Sequence, residues 1–302
     1  EDSVPDISLA RINVWTEQQI LDYAMKASSY RSNLQTNRMW NNHITLTAGG
    51  KISDDGDIFA QQSERIRRKS IPSHYRVTRV YTNTQTVSPE YFGGTFNLKD
   101  AINSGSQFVQ FMGHGGGRVW ADYNLFNFND VATLNNQVYP VFLSLACYAS
   151  AFDTNGAASI SEALVTTPNK GAIATLGFAG LGYLDQDEGW GLAFNEAAFM
   201  HDFPTLGEAY AFALARFFTT TTSAEARYAL THGSAYLGDP LIRFNKPETV
   251  GSVSAENPNP DPGEVLVVNA EFPADVMRAR LYIMNQNEKV INVPFDINVN
   301  QG

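Results

Sequence analysis

From residue 7 to residue 218 the chain alternates short apolar runs with segments of helical periodicity, and this alternation constrains the fold more than any other feature. "HITLTAG" (43–49), "YRVTRVYT" (75–82), the stretch 107–112 and "VYPVFLSLACYAS" (138–150) are rich in β-branched, aromatic and aliphatic residues, the pattern of buried strands. "ISLARINV" (7–14) alternates apolar and polar positions and adds an expected strand at the start. Thr16 and Gln19 then form a capping-box pattern ahead of Ile20, Tyr23, Ala24, Ala27 and Tyr30, so a helix is expected there. A second helix is expected over 58–70. "SISEALVTTPNKGAIATLGFAG" (159–180) reads as a capped helix, a Pro-Asn-Lys-Gly turn and another buried strand. Faces of Ala, Phe and Leu follow over 188–200 and 206–218. Parallel neighbours need a crossover, usually a helix, so the alternation predicts an α/β fold with a mostly parallel sheet flanked by helices. Ligands of such sheets bind beyond the carboxyl ends of the strands.

Two strand ends carry chemistry. In "FMGHGGGRVW" (111–120) an apolar strand runs into His114 and then into glycines that read as a sharp turn. In "LSLACYAS" another strand ends on Cys147, the chain's one cysteine. A thiolate is the nucleophilic form of cysteine, and a nearby imidazole takes its proton, so the pair needs proximity in space and not in sequence. Attack on a carbonyl makes an oxyanion that backbone N–H groups must meet. A glycine right after the histidine lets the backbone approach closely, which makes the N–H groups of Gly115 and Cys147 the candidate donors. Taken alone, "LSLACYAS" reads as inert packing, since free cysteine is among the most buried residue types, and "GHGGG" reads as a tight turn. Together, at strand ends of one sheet, they favour catalysis. His43, His74 and His201 stand alone and read as structural or surface residues, and no His/Cys/Asp cluster has zinc-ligand spacing.

A formal net charge of −10 argues against nucleic acid or anionic lipid as the main partner. The basic stretch "ERIRRK" (64–69) reads as a solvated helix face. No apolar run approaches the ~18–20 residues of a membrane span, and "EDSVPDISLA" lacks the basic start and apolar core of a signal peptide. One cysteine excludes an intrachain disulfide and leaves the redox compartment open. Near Pro247 the composition shifts. "ENPNPDPGE" (256–264) has linker or turn chemistry, and "EVLVVNAEF", "RARLYIM" and "KVINVPFDINV" read as successive strands. The expected division is 1–246 and 247–302, the latter the start of a β-sandwich.

"FMGHGGGRVW", "VFLSLACYAS", "SISEALVTTPNKGAIATLGF" and "YLGDPLIRF", in this order, resemble the gingipain-type cysteine peptidases, and within them the branch of the type IX secretion signal peptidase (sortase). "VPDISLARINVWTEQQI" is also similar to the family's entry into its catalytic region, and the resemblance covers roughly residues 4–245. It implies a caspase-like fold and endopeptidase action on a protein or peptide through an acyl-enzyme. Cys147 would be the nucleophile, His114 the general acid/base, and Gly115 with Cys147 the oxyanion hole. It also implies an acidic residue that orients the histidine, in a loop after an interior strand. That loop is "SDDGD", where position favours Asp55, with Asp54 and Asp57 as alternatives; an Asp-Gly turn with solvated carboxylates is the plain reading of the same residues.

The resemblance further implies an immunoglobulin-like module over the trailing β segment and a secreted or cell-surface location. It implies that a further chain or fragment completes the catalytic domain at its N-terminal side. No cofactor is required, and the acidic loops 51–57 and 185–188 are candidate donors for a structural calcium. "GFAGLGYLDQDEGW" (177–190) is expected to line the primary specificity pocket, with Tyr183 or Trp190 as an aromatic wall and Asp185, Asp187 or Glu188 as cation partners. Two other activities fit the same residues, namely a transpeptidase of the same family and a catalytically silent scaffold.

Overall fold

The computed structural model describes all residues except 1–5, 37–39, 51–54, 83–90, 122–124, 154–156, 248–251, 273–277, 282, 284–294 and 299–302. It divides into two compact units, Glu1–Lys246 and Pro247–Gly302.

The first unit is built on a six-stranded sheet. Its strands are β1 (His43–Gly49), β2 (Arg76–Tyr81), β3 (Phe108–Gly113), β4 (Val141–Leu145), β5 (Ala174–Phe178) and β6 (Ser234–Gly238). Their spatial order is β2-β1-β3-β4-β5-β6. β1 to β5 are mutually parallel and β6 is antiparallel at the edge. The described helices that flank it are α1 (Glu17–Thr36), α2 (Ile58–Ser70), α3 (Thr95–Asn103), α4 (Ile160–Thr166), α5 (Leu184–Asn195), α6 (Leu206–Thr220) and α7 (Ala224–Gly233). The mostly parallel, helix-flanked sheet expected from the alternation is the one observed.

Side-chain alternation along the strands makes two cores. In β3, Phe108 and Met112 enter one layer with α2, α5 and α6, while Val109 and Phe111 enter the other with α3 and α4. The strands are buried on both faces, which is why they read as nearly continuous apolar runs. The crossover β1–α2–β2 covers one face, and β2–α3–β3 returns over the other. Strand order therefore reverses between β1 and β3, and the crevice beyond their carboxyl ends is the topological switch point where such sheets bind ligands.

Local signals explain the element ends. Gln19 N–H donates to Thr16 Oγ1 at 3.2 Å and Trp15 N–H to Gln19 Oε1 at 2.7 Å, which starts α1 as the capping pattern predicts. Ser159 and Glu162 close a reciprocal capping box on α4. The expected strand at 7–14 is not formed. Only Arg11 makes a parallel bridge, to Leu237 of β6, and Ile7 and Leu9 are exposed. The expected turn after His114 is a small antiparallel meander instead, pairing 115–116 with 119–120 and 119–120 with 126–127. His43 lies buried at the start of β1, its ring nitrogens on Gly105 O and Thr78 Oγ1. Burial pushes its imidazole down to about 3, so it stays neutral.

In the second unit, Ser252–Ala255 pairs antiparallel with Val268–Glu271, and Arg278–Leu281 with Phe295–Asn298. These are two separate ribbons among the described residues.

Candidate active site

The switch point holds His114. β3 lies so close to β1 at its end that a Cβ on Gly113 would stand 2.1 Å from Gly49 O, and His114 N–H then donates to the same oxygen at 3.3 Å. The chain leaving β1 reaches Asp55, just ahead of α2, and Asp55 Oδ2 lies 3.1 Å from His114 Nε2. Phe59 of α2 meets the imidazole edge-on with ring centroids 5.1 Å apart. The imidazole remains about half accessible, at 47%, so a substrate can reach it. Of the three aspartates of the acidic turn, Asp57 bonds Gln61 within α2's first turn, and Asp54 lies outside the described residues.

Cys147 follows β4, the other neighbour of β3. Met112 and Leu145 are register partners, so His114 and Cys147 both stand two residues past a paired position on adjacent parallel strands. Gly115 joins the two ends, because a Cβ there would lie 2.8 Å from Ala146 Cβ and 3.1 Å from Cys147 O. Ala121 N–H donates to His114 O, which makes Gly115 and Trp120 a non-hydrogen-bonded pair and turns the Gly115 N–H away from the meander. Both loops are latched by α4: Ile160 N–H donates to Gly117 O at 2.7 Å and Ser161 N–H to Ala149 O at 3.3 Å.

The thiol is partly accessible. Tyr148, next to it, adopts a left-handed backbone with φ 57°, which for a large side chain costs roughly 1–2 kcal/mol and marks a position held by its surroundings. Its N–H donates to Gly180 O at 2.7 Å, docking the cysteine loop on the segment after β5. That segment returns the contact, since Gly182 N–H donates to Cys147 Sγ at 3.2 Å. The sequence reading missed Gly182; the available signal was a glycine-rich stretch directly after a buried strand.

Within the rest of 177–190 one expectation fails. Trp190 is fully buried and stacks on Phe194 at 9° in the core, so it does not form a pocket wall. Its spacing with Phe194 and Ala197, on one helical face, was the signal for core. Glu188 is held by Arg65 of α2 through contacts of 2.8 and 2.6 Å. Asp187 is buried and accepts the Tyr183 N–H at 2.8 Å, and the Tyr183 hydroxyl donates to Glu225. Among the described residues no three His, Cys, Asp or Glu side chains converge as metal ligands. Among the described residues no helix is long and apolar enough to cross a membrane.

Burial pushes the Asp187 carboxyl up from 3.8 to about 7, opposed by the Tyr183 amide. The native state then binds the proton more tightly than the unfolded chain, so this group's stabilisation is full below about 3.8 and lost as pH rises through about 7. Between pH 4 and 8 the wild type is expected to lose, relative to Asp187→Asn, on the order of a few kcal/mol. Denaturant melts of both proteins at these pH values check this; parallel curves would refute the buried acid.

Comparison with known proteins follows the same lines. The family model for peptidase family C25 matches residues 1–245. The chain belongs to that family. It is the gingipain-type family of cysteine peptidases, as the quoted segments implied. A solved structure described as a protease aligns with TM-score 0.66 and 15% identity over 94% of this chain and 63% of its own; the chain thus spans less than two-thirds of that protein. The Arg-specific cysteine proteinase gingipain R aligns with TM-score 0.63 and 18% identity over 99% of this chain and 76% of its own. The complex of the Porphyromonas gingivalis RgpB pro- and mature domains gives TM-score 0.63 and 16% identity over 99% and 78%. At such identities the likeness is one of fold, and the fold is caspase-like. Comparison with curated proteins finds no match.

Proposed function

We propose that this chain is a cysteine endopeptidase in which Cys147 attacks the scissile carbonyl of a protein substrate and His114 carries the proton. One observation bears most of the weight: His114 and Cys147 follow register-matched ends of adjacent strands, with Gly115 packed between them. Asp55 on Nε2 favours the tautomer protonated there and leaves Nδ1 as the base. Nδ1 takes the thiol proton, and Sγ adds to the carbonyl carbon. The N–H groups of Gly115 and Cys147 meet the oxyanion. As the adduct collapses the C–N bond breaks, Nδ1 returns the proton to the leaving amine, and water then cleaves the thioester. Secretion, and an immunoglobulin-like role for 247–302, extend this reading by resemblance to the family.

The test is the rate of iodoacetamide labelling at pH 6, read by intact mass. An ordinary thiol, with pKa near 8.5, is under ~1% ionised there, and the single cysteine makes any added mass report Cys147. Labelling well above that of glutathione, falling about tenfold or more in His114→Ala, is expected. Labelling at the glutathione rate in both proteins would remove the proposal. Amine acceptors added to a cleavage assay separate hydrolysis from transpeptidation by the appearance of ligated product.

A further inference from the structure

We infer that Asp187 is a positioning residue for the thiol, and that it acts through the Gly182–Tyr183 backbone. The inference rests on the proposed function only in taking Cys147 as the reacting group. Three contacts form a chain. The Asp187 carboxyl accepts the Tyr183 N–H at 2.8 Å. Its other oxygen lies against Gly182, where an added Cβ would be 2.4 Å away. Gly182 N–H donates to Cys147 Sγ at 3.2 Å. The segment from Gly180 is fixed at its other end by Tyr148 N–H on Gly180 O. The two anchors leave Gly182 between them with its amide on sulfur, and an amide aimed at sulfur stabilises the charged thiolate over the neutral thiol.

A side chain at 182 would push the Asp187 carboxyl out of its present position. An acceptor is required at 187 because the Tyr183 amide is otherwise left unmet beside a buried group. The neighbouring charges do not supply this anchor. Arg65 of α2 is engaged by Glu188, Asp185 on the same helix is exposed, and Glu225 of α7 takes the Tyr183 hydroxyl. At pH 6 the buried carboxyl, shifted to about 7, is mostly neutral, so asparagine can replace it as an oxygen acceptor.

The experiment measures iodoacetamide labelling of Cys147 at pH 6 in wild type, Asp187→Asn, Asp187→Ala and Gly182→Ala, with a thermal melt of each. Expected is a wild-type rate in Asp187→Asn and a drop of about fivefold to tenfold in Asp187→Ala and Gly182→Ala, compared at temperatures where every variant is folded. A helix cap alone would lower the melting temperature of Asp187→Ala and leave its labelling rate at the wild-type value; that result overturns the inference. Equal losses in Asp187→Asn and Asp187→Ala overturn it as well, because the acceptor would not be what matters. The labelling reads the thiol directly, so these outcomes stand whether or not the protein cleaves peptides; failure of the peptidase reading shows instead as wild-type labelling no faster than glutathione's.

Discussion

Cys147→Ala is expected to reduce cleavage of an unfolded protein substrate to background, a loss of about 10⁴-fold or more, because it removes the chain's one cysteine, the nucleophile of the proposed mechanism. The fold is expected to survive. Sγ is partly accessible, and the contacts it makes are with the backbone of Gly182, at 3.2 Å from N and 4.0 Å from O. Losing them changes stability by roughly 1 kcal/mol or less, as for other sites away from the core. Proteolysis of a fluorescently labelled casein, with a thermal melt of the same samples, reads both quantities. Cleavage that persists in the variant at an undiminished rate would place the activity elsewhere, whereas loss of both folding and activity would make Cys147 a packing residue. Cys147→Ser adds a control that restores the volume and leaves a weaker nucleophile.

The parts of this site that are legible in the sequence are those that depend on local pattern. Interior parallel strands are apolar on both faces, so 43–49 and 107–112 stand out as runs, and a histidine or a cysteine at the end of a run can be read directly. Position favours Asp55 among the three aspartates of the acidic turn, but its contact with the histidine depends on how β1 and β3 lie side by side. In the fold Asp55 Oδ2 lies 3.1 Å from His114 Nε2. The strand expected at 7–14 fails for a related reason: alternation shows that a segment could pair, and only the sheet decides whether an edge is offered along its length. β6 meets this segment at the single position Leu237. Trp190 shows the reverse error, in which proximity in sequence to the candidate pocket outweighed a helical spacing that pointed to the core. For Gly182 the sequence offers only the glycine-rich stretch after a buried strand and not the contact itself, since its partner is 35 residues away and the two meet only once β4 and β5 lie side by side.

Gly113→Ala is expected to be the most damaging substitution outside the reacting residues, because it strikes the junction that fold and site share. Gly49 and Gly113 are register partners at the ends of β1 and β3. A methyl on Gly113 would stand 2.1 Å from Gly49 O and 2.9 Å from the Phe111 ring, and a backbone oxygen cannot rotate away as a side chain can. Gly49 has no room to retreat, since its own Cβ position is 2.6 Å from Thr82 Oγ1 and 2.8 Å from Ala121 Cβ. The two strand ends must separate, and one leads to Asp55 and the other is followed by His114. The expected cost is about 3 kcal/mol or more, by the usual scale of overpacking and backbone displacement. In a unit of this size that lowers the melting temperature by roughly 6–12 °C. Activity measured well below the melt should fall further than the unfolded fraction accounts for, because the Asp55–His114 contact opens in the folded protein. Gly116→Ala, in the same glycine run but with its nearest neighbour, Val119 Cγ1, at 4.0 Å, is expected to stay within about 0.5 kcal/mol of wild type. If the two variants melt and cleave alike, close approach of β1 and β3 is not what assembles the site; if Gly113→Ala alone fails on both measures, the glycine before His114 is there to let two strands meet.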